Sequence, residues 1–361
     1  MMLRTQHQLG RKVTWLGAAL LGFMCFQSPA VRAGTCSYVP EAPTFLQAVT
    51  SITGSITVGR DLPVGSEIYR ATFNTNRLAR VTCQPGTYTR TRRYINNPYP
   101  LSSYVHPTYG SRVYRTSVPG VGAVVWVAGN ALPTTTTDVF NVHTELTAAT
   151  AFDISLIKIG DVGAGTIRGS DLPTFEYVEI GDNTIRMLLG SFTGSLNIVS
   201  RTCSTPDVSV NLGTHQMSAL SGVGTGTNWV NVPIRLNNCP GFYDAFRNNL
   251  TNDDGVTAPR RIANQIRYRV DPITSIVVPS QGVMALQPDG VNQTATGIGI
   301  QMGDANSNPI TYGSNRASGL TLTQTENASY TFNLRARYYQ TGATPTSGQA
   351  NGAATVTLIY E

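Results

Sequence analysis

Gly348-Gln-Ala-Asn-Gly-Ala-Ala-Thr-Val-Thr-Leu-Ile-Tyr-Glu361 sets Ala354, Val356, Leu358 and Tyr360 two residues apart. Successive side chains of a β-strand point to opposite faces, so this spacing gathers four apolar groups on one face and leaves Thr355 and Thr357 on the other. The stretch predicts a half-buried strand, and a glycine-rich approach precedes it.

The same period of two recurs upstream. It runs through Val208, Val210 and Leu212, through Val232, Ile234 and Leu236, through Ile298, Ile300 and Met302, and through Tyr330, Phe332 and Leu334. In the first half, 139–146, 152–159, 175–180 and 196–199 read as strands with weaker alternation. Turn signals such as Asp182-Asn183, Asn252-Asp253-Asp254-Gly255 and Pro288-Asp289-Gly290 separate the runs. With 35 Gly, 20 Pro and only 13% charged residues, the composition does not supply long amphipathic helices. The expected class is all-β, built from two antiparallel sandwiches or barrels.

Residues 1–33 have the layout of a secretory signal peptide. Arg4, Arg11 and Lys12 precede an apolar run from Trp15 to Phe26, and Val31-Arg32-Ala33 supplies a small-residue cleavage site. The run is shorter than the roughly 18 to 20 residues that span a bilayer. Four of the 26 Lys/Arg fall in this leader and none of the 20 Asp/Glu does, which leaves 22 against 20. The basic sequence pI of about 9.1 therefore belongs largely to the leader and argues for no nucleic-acid partner.

Beyond the leader, Cys36, Cys83, Cys203 and Cys239 remain. Four cysteines allow three pairings, and the wide gap between Cys83 and Cys203 favours Cys36 with Cys83 and Cys203 with Cys239. No C-x-x-C spacing points to zinc, and no metal or other cofactor is expected. The 328 residues after the leader exceed one ordinary core. The expected division is 34–200 and 201–361, with the boundary at Ser200, just before Arg201-Thr202-Cys203.

The C-terminal half resembles the pilin domains of chaperone-usher fimbriae. The features that carry the likeness are Gly348, fourteenth from the end, the penultimate Tyr360, the segments 297–304 and 334–342, and the pair Cys203 and Cys239 with Pro240 following. The resemblance implies an incomplete immunoglobulin-like fold lacking its last strand. It implies that Gly348, Val356, Leu358 and Tyr360 meet a strand from a periplasmic chaperone and later from the next fimbrial subunit, with an outer-membrane usher as assembly partner. Some 165 residues with their own cysteine pair precede this domain, where a shaft pilin has a short donor extension. The implied place is the fimbrial tip at the cell surface.

Residues 34–200 resemble, less specifically, the receptor-binding domains of two-domain adhesins, through Cys36, Cys83 and the segment 56–66. Within them, residues 88–115 hold Tyr88, Tyr94, Tyr99, Tyr104, Tyr109 and Tyr114 with Arg90, Arg92, Arg93, Arg112 and Arg115, and no acid. Tyrosine offers a flat face and a hydroxyl, and arginine a fork for carboxylate or sulfate. The expected ligand contacts are Arg92, Arg93, Tyr94, Tyr99 and Tyr104, on an exposed platform that binds a glycan or matrix protein bearing negative charge.

Catalytic motifs are absent: no G-x-S-x-G, P-loop, H-E-x-x-H or G-x-G-x-x-G occurs, and His106, His143 and His215 lie far apart. No catalytic residue is assigned and no enzymatic activity is expected. Two other readings remain: a minor pilin or adaptor without a receptor, and a polysaccharide-active enzyme using carboxylates among Asp153, Asp161, Asp171, Glu176 and Glu179.

Overall fold

The computed structural model describes residues 32–42, 46–74, 78–108, 110–149, 151–247, 250–252, 255–256 and 260–361. The signal peptide reading, apart from Arg32 and Ala33, and Tyr109 of the Tyr/Arg stretch lie outside the described residues. What is described is built from strands, with three short 3-10 turns.

The first half contributes β1 (Cys36–Tyr38), β2 (Leu46–Thr57), β3 (Glu67–Asn74), β4 (Leu78–Cys83), β5 (Gly86–Asn96), β6 (Tyr114–Arg115) and β7 (Val121–Val127). It continues with β8 (Asn130–Ala131), β9 (Thr134–Phe140), β10 (Thr144–Ala149), β11 (Phe152–Lys158), β12 (Gly165–Arg168), β13 (Thr174–Ile180) and β14 (Thr184–Val199). One sheet runs β12-β14-β13-β5-β9, with β2 lying parallel to β14. A second runs β3-β11-β7-β6, and a third β1-β4-β10. Between them Phe152 packs 5.0 Å from Phe175 and 6.0 Å from Phe192, ring centre to ring centre, at the heart of one apolar core. The run expected at 139–146 is two strands, because residues 141–143 turn the chain from β9 into β10.

The second half contributes β15 (Val230–Cys239), β16 (Ala245–Arg247), β17 (Leu250–Asn252), β18 (Gly255–Val256), β19 (Arg260–Ile262) and β20 (Ile266–Pro272). After them come β21 (Ile276–Val278), β22 (Val283–Ala285), β23 (Ile298–Gly303), β24 (Arg316–Ala317), β25 (Ala328–Gln340) and β26 (Ala354–Tyr360). Sheets β15-β25-β23-β22-β21 and β24-β20-β26 face each other. Ile234, Phe332, Leu334, Ile300 and Met302 come from the first sheet, and Ile266, Tyr268, Val270, Leu358 and Tyr360 from the second. Each such side chain stabilises by about 1.5 to 3 kcal/mol when fully buried. The alternation that named these strands is what fills the core.

Disulfides join Cys36 to Cys83 and Cys203 to Cys239, one in each half. Strands β16 to β19 do not enter the second sandwich. They join the first half, where β16 and β17 lie parallel to β3 through Phe246 opposite Tyr69 and Leu250 opposite Thr72.

Candidate functional site

In its sheet β26 is an edge strand, paired with β20 on one side only. Along the other side runs a cleft of about 750 Å³ between residues 350–356 and the segment 205–212. Its floor is apolar, formed by Val232, Ile234, Ile300, Met302 and Ala336. The period of two at Val208, Val210 and Leu212 does not make the expected strand: the segment is extended but unladdered after Ser204, which exchanges backbone hydrogen bonds with Asn237. Val208 and Leu212 still pack on the core. The chain thus has two segments flanking a gap over a floor of core side chains, an edge that invites another strand.

Gly348 and Tyr360 hold the ends of this region. A Cβ at Gly348 would lie 2.5 Å from both Ala295 N and Gln293 O, so the backbone approach that leads the chain into β26 admits only glycine. The Tyr360 hydroxyl accepts a hydrogen bond from Cys203 N–H at 3.3 Å, and its ring is buried. Burial pushes this phenol's pKa upward, only partly offset by that hydrogen bond and by Arg60. Val356 lines the cleft, while Leu358 and Tyr360 lie in the core.

The five residues expected to contact a ligand do not form one platform. Alternation along β5 sends Arg93 outward and Arg92 inward with Tyr88. Arg92 is 9% exposed, with its guanidinium 4.7 Å from the Tyr177 ring centre. Beside it Arg90 bonds Glu179, which is fully buried, and pairs with Asp138 at 2.8 Å. Burial raises the Glu179 pKa, with Arg90 opposing. Tyr94 packs edge-on to Tyr114 at 4.9 Å and accepts Val125 N–H. Burial drives its phenol well above the usual range. For Arg92 and Tyr94 the expectation of an exposed surface is corrected: their side of β5 faces the interior of the first half. Arg93 is half exposed and donates to Glu176 at 2.8 Å. Tyr99 is half-buried, and Tyr104 rests on the small cluster around Val113, Val124 and Ile157, 6.1 Å from the His106 ring. Arg112 and Arg115 are exposed nearby.

Most of the carboxylates weighed for polysaccharide chemistry are engaged structurally. Glu176 is held by Arg93 and Arg186, Glu179 by Arg90, and Asp153 by Thr72 and Arg70. Asp171 accepts the Arg168 amide. Among the described residues no group of three or more His, Cys, Asp or Glu is placed to hold a metal.

The second half is therefore a sandwich with one unladdered edge beside a cleft, the kind of edge to which a further strand can add. Residues 191–361 match the family model for fimbrial protein. Over 323 residues the chain is 25% identical to a fimbria adhesin protein of Klebsiella pneumoniae, covering 85% of this chain and 89% of that protein. A type 1 fimbrial subunit of Salmonella typhimurium is 29% identical over 158 residues, which is 43% of this chain and 71% of the relative. Among solved structures, the receptor-binding domain of the plasmid-born Klebsiella pneumoniae adhesin MrkD1P is 22% identical, covering 47% of this chain and 98% of that one at a TM-score of 0.33.

Proposed function

We propose that the chain is the tip adhesin of a chaperone-usher fimbria, with residues 201–361 accepting a donor strand and residues 34–200 binding the receptor. The observation that carries this reading is the free edge of β26 above its apolar cleft. A periplasmic chaperone fills that edge first, and the strand of the next subunit replaces it at the usher. The residues just before Cys203 have no strand to offer in return, because Leu196 and Ile198 are buried in the first core. A subunit that accepts a strand and donates none terminates the fibre.

The receptor surface proposed here is the part of the Tyr/Arg stretch that reaches solvent: Arg93, Tyr99 and Tyr104, with Arg112 and Arg115 at the rim. Exposed arginine beside half-buried tyrosine favours a glycan or matrix protein carrying carboxylate or sulfate. The role is binding without turnover. Immunogold labelling at fibre ends, together with a glycan and matrix-protein array probed with intact fimbriae, tests the assignment. Label along the shaft would make the chain a structural pilin, and cleavage of an arrayed polysaccharide would make it an enzyme.

A further inference from the structure

The free edge of β26 is not free along its whole length. Gln265 and Glu361 exchange both backbone hydrogen bonds at 2.9 Å, and β20 continues opposite with Arg267 facing Ile359. In an antiparallel ladder such pairs alternate, so residues 361, 359, 357 and 355 turn their backbone groups toward β20. Residues 360, 358, 356 and 354 therefore turn theirs toward the missing strand.

At the far end of that edge the outward groups are already taken by the first half. Tyr360 N–H donates to Asp61 Oδ2 at 3.0 Å, Asp61 N–H donates to Tyr360 O at 3.2 Å, and Arg60 Nη2 donates to Leu358 O at 3.2 Å. Lys158 Nζ fixes the loop from behind through Gly59 O at 3.1 Å and Arg60 O at 2.6 Å. A Cβ at Gly59 would stand 2.2 Å from Tyr360 O, so the loop can sit this close only with glycine there. The cleft accordingly reaches Ala354 and Val356 but not Leu358 or Tyr360.

We propose that Gly59–Asp61 is a stop for the incoming strand, built by the first half onto the acceptor edge of the second. A donor strand pairs with Ala354, Val356 and the Leu358 N–H and ends against Arg60 and Asp61, which fixes its register. The partner this surface fits is a short strand with alternating apolar side chains that terminates at Leu358. The inference rests on the donor-strand reading above and adds where that strand must end.

Residue-resolved hydrogen exchange on the full chain in complex with its co-purified chaperone separates the two ideas. Val356 N–H reports the partner strand, and Tyr360 N–H reports the loop. In the complex both amides should be protected. Asp61→Ala should speed Tyr360 exchange at least about tenfold, the scale of losing a hydrogen bond to a charged group, and leave Val356 unchanged. Asp61→Asn, which keeps an oxygen acceptor in place, should retain most of the protection and controls for misfolding. Equal Tyr360 protection in wild type and Asp61→Ala would mean that the partner strand itself covers Tyr360, and would overturn the stop. A rapidly exchanging Val356 in the wild-type complex would overturn the donor-strand reading itself.

Discussion

The edges of the two sandwiches contrast. In the first half, β2 lies parallel along twelve residues of β14, from Leu188 to Val199, and β16 and β17 cover β3. In the second half, β26 and the segment 205–212 stand on either side of a cleft without a strand between them. Both halves have well-filled cores, so the difference is not one of hydrophobic content. It lies in whether backbone donors and acceptors find partners within the same chain, a requirement that apolar packing alone does not meet. The first half pairs β14 and β3 within the chain, and the second leaves one side of β26 without a strand.

The sharpest way to break the contrast is to remove the open edge. Deleting residues 354–361, or combining Leu358→Asp with Tyr360→Asp, takes away two buried core side chains and the strand a chaperone would pair with. Chaperone co-purification should be abolished and periplasmic yield should collapse. A normal yield of either variant without chaperone would show that the second half needs no outside strand.

A second test asks whether the first half depends on its own interior polar network. Glu179 is fully buried and bonded to Arg90, with Arg92 close by on the same face of the sheet. Glu179→Ala leaves the Arg90 guanidinium with Asp138 as its remaining partner, a loss of about 1.5 to 3 kcal/mol on the scale of a hydrogen bond between charged groups. Thermal unfolding of the full chain should show a large loss in the first half. Arg93→Ala on the next residue of the same strand as Arg92 should change stability by less than about 1 kcal/mol, because Arg93 is half exposed and the buried Glu176 keeps Arg186 as a partner. If Arg93 belongs to the receptor surface, the same variant weakens attachment by about 1 to 3 kcal/mol. Equal stability losses from the two variants would remove the distinction between the inward and outward faces of β5.

That distinction measures how far the sequence could be read. Ala354, Val356, Leu358 and Tyr360 announced β26 because burial of one face leaves a period of two. The same period at Val208, Val210 and Leu212 reports a buried face equally well, yet no ladder forms there, since alternation is silent about what lies alongside. For β5 a signal was present: Tyr88, Arg90, Arg92 and Tyr94 share one parity, and two tyrosines on that side pointed inward. What hid the answer was Glu179, the counter-charge that lets arginine stay inside, which is remote in sequence and brought near only by the β13 register. The placement of β16 to β19 against β3 was equally out of reach, because pairing between distant segments leaves no local period.

The smallest expected effect concerns pH at the junction where the closed half touches the open edge. Burial alone would raise the Asp61 pKa, but the Arg60 hydrogen bond and the Tyr360 amide outweigh it and hold the carboxyl below its ordinary value. A carboxylate with a depressed folded pKa adds stability that is fully present above the unfolded value, about 3.9, and is lost as pH falls through the folded value. The contact between Gly59–Asp61 and the end of β26 should therefore be pH-independent in the neutral range and weaken below about pH 4. Asp61→Asn should flatten that part of the stability profile while leaving the neutral plateau little changed, since Asp61 is a third exposed and screened by water. Unfolding followed between pH 3 and pH 7 in both proteins checks this. Parallel acid losses in the two would mean that other carboxylates carry the acid sensitivity and that the Asp61 contact contributes no measurable share.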